Sequence, residues 1–561
     1  MARIEGNRLF AEMVRGYGVS HVFFVPTIVL PALAAMEDMP IRRLMVHGEK
    51  AAAYMADGYA RASGRPGLCL AQNIGGSNLA AGLRDAYMAC SPLVAINGGP
   101  APMLRYRHAY QEVEDLAQFD AVTKMNVRVD ELRRFPDLLR QAFRVATSGT
   151  PGPVHLELRG SHGQVLEAEA ELDGTVEQQY AAVPPFRPAP DPAALRRAAE
   201  MIGKAERPIV VAGGGVCASD ARRELLAFCE RYALPAATSL NAKDCLPDGH
   251  RLSLGVVGTY SRRCANQAVA EADLVVFVGS QAGGQVTHLW QVPSAATETV
   301  QIDINPEHIG RSYRATHPVL GDARLALEGL AALAPAAPPA RGAWLARIAG
   351  LKDEWRGAAD ARRRGNSSPM RPEEICAEIS DLLPRDGIVV SDTGHSGLWT
   401  GQLIELRHSE QRYIRCTGSL GWGFPGALGV KCARPDRAVV CFNGDGGFYY
   451  HLAELETASR YGINAIIVVN NNSMLNQEIP LFKAAYGGTL GPRAQEMFTF
   501  RNTDFTKVAE SLGCVGLRAT SRAEFHDAFA HALTAGRPVV IDAVTDADAQ
   551  AERAWVPPAS A

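Results

Sequence analysis

Asp445 stands in the turn Gly444-Asp445-Gly446-Gly447, just after the apolar run Arg437–Phe442. Asn472 follows 27 positions later, after a second apolar run, Asn464–Val469. A lone carboxylate and a row of amides at strand ends are poor core material. The segment between them reads as a helix closed by Gly462. In a right-handed βαβ unit both strand C-termini lie on one edge of the sheet, where open α/β sheets bind ligands. Asp445 and the Asn471/Asn472 pair are therefore expected to converge. One carboxylate with amide and backbone oxygens suits a hard divalent cation, and Mg²⁺ completes its shell with phosphate oxygens and water. The glycines let the backbone approach a phosphate at a helix start. The stretch is expected to form a metal–diphosphate cradle from Gly444, Asp445, Gly446, Gly447 and the Asn471/Asn472 pair.

Short β-rich apolar runs alternate with Ala/Leu/Arg-rich helical patterns along all 561 residues. That alternation predicts an α/β architecture of doubly wound parallel sheets. Pro/Ala-rich stretches at 181–197 and 334–344 read as linkers and divide the chain into 1–180, 190–335 and 365–550. Three pieces of one class suggest an old repetition of one fold. A formal charge of −3 and 21% charged residues give no reason to expect nucleic acid or membrane as a partner. No apolar run reaches the ~18 residues of a membrane span. The N-terminus shows no signal-peptide pattern. The eleven cysteines include no C-x-x-C and read as buried, reduced thiols, so a cytoplasmic location is expected.

Gly-Asp-Gly followed at this distance by Asn-Asn resembles the signature of thiamine-diphosphate (ThDP) enzymes. The resemblance covers nearly the whole chain, as pyrimidine-binding, central and diphosphate-binding domains in that order. It is nearest in character to the acetolactate-synthase-like branch of 2-oxo acid decarboxylases and carboligases. "HGEKAAAYMADGYARASG" (His47–Gly64) resembles the segment carrying that family's catalytic glutamate, which matches Glu49. The resemblance implies a bond from Glu49 to pyrimidine N1′, favouring the 4′-imino tautomer that takes the thiazolium C2 proton. "TGSLGWGFPGALGV" (Thr417–Val430) implies that Leu420 bends the cofactor and that the Gly418 carbonyl accepts from its amino group. "DTGHSGLW" implies phosphate contacts from His395 and Ser396, and the family pattern adds the Met474 carbonyl to Asp445 and Asn472 as metal ligands. Asn78 closes the turn "NIGGSN" on the cofactor side. Gln111 matches a glutamine near the reactive carbon in acetolactate synthases. Thr27, Ile28, Gln72, Asn73, Asn476 and Gln477 are expected to line the substrate pocket.

The sequence departs from the family in places. Gly48, not histidine, precedes Glu49, so no proton relay is expected from His47. Thr27 and Ile28 replace small glycines, arguing against a plain housekeeping acetolactate synthase. "GGGVCA" (Gly213–Ala218) is a loose dinucleotide fingerprint, but the next strand carries no acid for a ribose. No arginine lies between Gln281 and Gln285, so FAD is not expected. The implied partners are a 2-oxo acid and a carbonyl acceptor, in a homodimer or homotetramer with sites at subunit interfaces. Alternatives are an oxalyl-CoA decarboxylase or 2-hydroxyacyl-CoA lyase, hinted at by Lys483, Arg493 and Arg501, and a catalytically idle regulatory homologue.

Overall fold

The computed structural model describes residues 2–558 apart from Ala315 and Pro338. Three six-stranded parallel sheets follow one another along the chain. The first is built from His21–Phe24, Arg42–Met45, Gly67–Ala71, Leu93–Gly99, Asn126–Val129 and Pro153–Arg159. The third is built from Ile388–Ser391, Arg412–Arg415, Val439–Gly444, Ile466–Asn471, Val515–Ala519 and Val539–Val544. Counting strands in chain order within each sheet, both are arranged 2-1-3-4-6-5. The middle sheet, from Pro208–Ala212 to Thr316–Leu320, is arranged 3-2-1-4-5-6. The expected repetition thus joins the first and third pieces and leaves the middle one out.

The central strands are buried on both faces, which explains their unbroken apolar runs: Val439–Phe442 and Ile467–Val469 are all fully buried. The Pro-rich stretches are shorter as linkers than expected. Helices already begin at Pro192, with Asp191 accepting from the Ala193 N–H, and at Gly342. The latter helix runs to Arg363 and buries Trp344, Ile348, Leu351 and Trp355.

Two helices join the first unit to the third. Glu49–Ser63 packs on Gly423–Ala433 with almost no space between backbones. A Cβ on Gly58 would overlap the Gly426 carbonyl, and one on Gly429 the Met55 carbonyl. The glycines of "GWGFPGALG" are therefore demanded by helix contact as well as by the loop before them.

Candidate functional site

In the third sheet the order reverses beside its first strand, so loops after the first and third strands diverge and leave a crevice. Asp392 follows the first strand and Asp445 the third. The strand Val439–Gly444 runs two residues further than its apolar pattern, and helix begins directly at Asp445. Asp445 is 3% exposed. Its Oδ1 accepts from the Gly446 N–H at 2.7 Å, while its Oδ2 is buried with no partner. Burial pushes its carboxyl up to about 7, against the N–H groups of Gly446, Ser473, Met474 and Asn472, which pull it down. The 472–474 loop therefore points at Asp445, as the βαβ argument requires.

The three asparagines divide. Asn470 Oδ1 accepts from the Thr545 hydroxyl. Asn471 donates to Asp542 at 2.8 Å and to the Thr503 carbonyl, so it is a structural strut and no partner of Asp445. Asn472 stays beside the site, its Oδ1 accepting from the Met474 N–H at 3.2 Å, with Ser473 in the left-handed region at φ 58°.

The glycines admit neighbours. A Cβ on Gly447 would lie 2.9 Å from Asp392 Oδ2 and 3.3 Å from Leu420 Cδ1. One on Gly444 would lie 3.6 Å from Ser396 Oγ, and one on Gly446 2.5 Å from Leu475. Leu420 is only half-buried, so it stands as a wedge beside the turn rather than as a core leucine. Gly418 is exposed, with φ 143°. A buried carboxylate oxygen lacking a partner, next to a turn of small residues, fits a cation and a phosphate group.

Asp392 is the site residue the motif reading missed. It is fully buried and accepts from the N–H groups of Thr393 (2.6 Å), Gly421 (3.0 Å) and Gly423 (3.3 Å). It thereby fixes the Leu420 loop to the end of the first strand. Burial raises its carboxyl to about 7. The signal was in "DTGH": an acid at the end of an apolar strand.

His395 Nδ1 meets Asn476 Oδ1 at 2.6 Å, and burial lowers its pKa. Asn476 also donates to the carbonyls of Ala547 and Ala549. Buried and fully engaged, Asn476 positions His395 and does not face a substrate pocket as expected. Gln477 Oε1 is buried without a partner, and a Cβ on Gly394 would lie 3.1 Å from it.

The first unit gathers a second group. Glu49 opens its helix, half-buried, and accepts from Asn78 Nδ2 at 3.1 Å. The Gln72–Gly76 turn lies against it, with Gly75 tight on the Glu49 carboxyl. Asn73, 2% exposed, donates to the Gln111 carbonyl at 2.7 Å and leaves its Oδ1 without a partner. Gln111 has φ 60° in a loop whose Tyr106 and Tyr110 are exposed. Thr27 and Gln72 are half-buried at this edge. Ile28 is fully buried in the core under Gly163, which corrects its expected place in the pocket. His47 is taken up by Glu456 at 2.7 Å.

Three charged residues tie the units together. Arg61 bonds Asp57 and Asp85 and donates to the Arg415 carbonyl. Asp85 accepts from the N–H groups of Thr417 and Ser419, and Asp57 from Trp422 Nε1. The loop bearing Gly418 and Leu420 is thus pinned by the first unit on one side and by Asp392 on the other.

The middle sheet has a cavity of about 350 Å³ at its own reversal point. Gly213 and Gly215 are glycines because Gly279 presses against them. The acids there, Asp303 and Asp322, come from the ends of the fifth strand and just past the sixth, which a search of the second strand misses. Lys483, Arg493 and Arg501 are exposed, and Arg493 is paired with Glu496. Among the described residues no helix is long and apolar enough to cross a membrane.

A sheet edge that fits a cation beside a phosphate group, with a separate acid-bearing edge on a sheet of identical order, defines a two-part cofactor site. Family models agree: thiamine pyrophosphate enzyme N-terminal TPP-binding domain over 4–119, central domain over 195–330 and C-terminal TPP-binding domain over 392–543. The chain is 31% identical to a probable acetolactate synthase large subunit of Methanocaldococcus jannaschii, covering 97% of this chain and 92% of the relative. It is 30% identical to the acetolactate synthase large subunit of Corynebacterium glutamicum over 98% and 88%. It is also 30% identical to the Escherichia coli acetolactate synthase isozyme 2 large subunit over 99% and 98%. The chain belongs to the thiamine-diphosphate-dependent enzymes, in the acetolactate-synthase-like branch whose chemistry is 2-oxo acid decarboxylation and carboligation.

Proposed function

We propose that this enzyme decarboxylates a 2-oxo acid and ligates the remaining acyl unit to a second carbonyl compound, using ThDP and Mg²⁺. When bound, ThDP supplies the nucleophilic carbon and the electron sink for that chemistry. Asp445 and Asn472 hold the cation, with the Met474 carbonyl beside them. The backbone of Gly444–Gly447, with His395 and Ser396, receives the diphosphate. Leu420 and the Gly418 carbonyl orient the ring system, on a loop stiffened by Asp392 and Asp85. Glu49 keeps a proton at the pyrimidine nitrogen, and Asn78 orients its carboxyl. Gln111 would approach the reacting carbon from the first unit's edge, with Asn73 holding its backbone and bordering the substrate pocket. We assign the complete site to a homodimer or homotetramer, one subunit giving the Glu49 edge and its partner the Asp445 edge. The cytoplasm is the expected compartment.

The observation that carries this reading is Asp445, whose Oδ2 is buried and unpartnered and whose carboxyl has the 472–474 loop beside it. Isothermal titration of ThDP should show binding that requires Mg²⁺ and is lost in Asp445→Ala. A panel of 2-oxo acids with carbonyl acceptors, analysed by mass spectrometry, should give carboligated products. Tight ThDP binding without metal, or no product from any pair, would overturn it.

A further inference from the structure

Outside the cofactor edges, Cys217 and Cys245 face each other with their Sγ atoms 3.5 Å apart. Cys217 sits on the five-residue helix Gly214–Ala218, and Cys245 ends the turn Leu240–Cys245. Cys245 is 3% exposed, whereas Cys217 is half-buried on the wall of a cavity of about 460 Å³. Arg222 lies beside both sulfurs. Its guanidinium binds Asp244 Oδ2 at 2.9 Å, and its Nε is buried without a hydrogen-bond partner. The cavity wall adds Arg412, Arg434 and Arg437.

Two readings compete. Cys217, Cys245 and Asp244 offer ligand atoms within 4.8 Å of one another, which suits a soft divalent metal. The surrounding charge opposes that reading. Asp244 is already bound by Arg222, and further arginines face the same cavity, so a cation would enter a positive field. Two sulfurs 3.5 Å apart, one of them on the cavity wall, instead suit a thiol pair that an oxidant in the cavity can reach. The Cys245 thiol donates to Cys217 and is buried, which keeps it protonated well above the ordinary thiol range, and only Cys217 opens on the cavity, so Cys217 is the attacking sulfur.

We infer that Cys217 and Cys245 form a redox-active pair, a site of reversible disulfide formation under peroxide. The Cys217 thiolate attacks one peroxide oxygen, the O–O bond breaks and hydroxide leaves, giving Cys217 sulfenic acid. The Cys245 sulfur then attacks Cys217, its proton passes to the leaving oxygen, and water departs. The dithiol loses two electrons and the peroxide gains them. A disulfide has S–S of about 2.05 Å, so the sulfurs must close by roughly 1.5 Å. The bridge ties the Gly214–Ala218 helix to the turn bearing Asn241, whose Oδ1 accepts from Arg415 at the foot of the Leu420 loop.

The full-length chain treated with hydrogen peroxide and digested without reduction should yield a linked Cys217–Cys245 peptide, two hydrogens lighter than its halves. Thiol titration should fall by two per chain and recover with dithiothreitol. Cys90→Ser should leave this unchanged; Cys217→Ser and Cys245→Ser should each abolish it. Should a serine variant misfold by circular dichroism, Cys245→Ala replaces it. Oxidation of Cys217 to sulfinic acid without a bridge would overturn the inference. So would a purified protein carrying zinc that Cys217→Ser releases.

Discussion

The first and third sheets share one strand order and use the same stations differently. After the second strand, the first sheet places Glu49 and the third Gly418 and Leu420. After the third strand, one carries the Gln72–Gly76 turn and the other Asp445. After the fourth, one leads to the Gln111 loop and the other to Asn472. The third sheet's edge is finished within the chain: its acids are buried, tied to backbone N–H groups and held above the usual carboxylate range. The first sheet's edge is open, with a half-exposed Glu49 steadied by Asn78. One framework thus makes either an edge of buried acids tied to backbone N–H groups or an edge with a half-exposed acid, depending on the residues at its strand ends.

The largest test separates the two edges. Glu49→Gln should retain ThDP binding but lower kcat about 10²–10⁴-fold, the usual worth of a positioned acid–base group. Steady-state kinetics beside isothermal titration checks it, and unchanged turnover would defeat the division of labour. Asp445→Asn should do the reverse, weakening ThDP and Mg²⁺ retention by roughly 2–3 kcal/mol, the scale of a charge-assisted contact. Its kcat at saturating cofactor should be less affected than that of Glu49→Gln.

The tie between the sheets is a third target. Arg61→Met strands the buried carboxylates Asp57 and Asp85 and should cost about 3–5 kcal/mol of stability. Thermal unfolding would reveal it, and a melting point equal to wild type would show the network to be idle.

The smallest effect is a difference in pH response. His155 is fully buried between Asn97 and Asn126, and burial lowers its pKa to about 3. The unfolded chain takes up a proton below about 6.5 while the folded one does not, so stability falls as pH drops from there, by up to ~1.4 kcal/mol per unit. Asp392 has the opposite sign. Its raised pKa means the folded form holds a proton the unfolded chain has lost, so stability falls as pH rises from about 4 to about 7. Between pH 7 and pH 5 the His155 contribution is therefore a loss and the Asp392 contribution a gain, each read by comparing thermal unfolding of wild type and the single variant. His155→Gln should remove its share of the stability lost towards acid.

Much of the cradle was legible because it is local. A strand–helix–strand unit has a fixed hand, so a gap of 27 residues between Asp445 and Asn472 already implies convergence. The convergence argument left Asn471 and Asn472 together and the family resemblance alone picked Asn472, since which neighbour turns inward depends on where Asp542 and Thr503 lie. It put Ile28 and Asn476 in the pocket because a loop position says nothing of what packs over it.

The sequence by itself determined the layered α/β class and the pairing of an acid with an amide at one sheet edge. It could do so because apolar periodicity and connection handedness are short-range properties of the chain. Only the tertiary structure decided that the first and third sheets are the matched pair. It also decided that Asp392 and Asp85 hold the Leu420 loop from two sides, and that Cys217 meets Cys245. Those contacts join residues from 28 to more than 300 positions apart, and no periodic pattern reports them. They are set by how helices and loops fit together, which depends on the shapes of both partners at once.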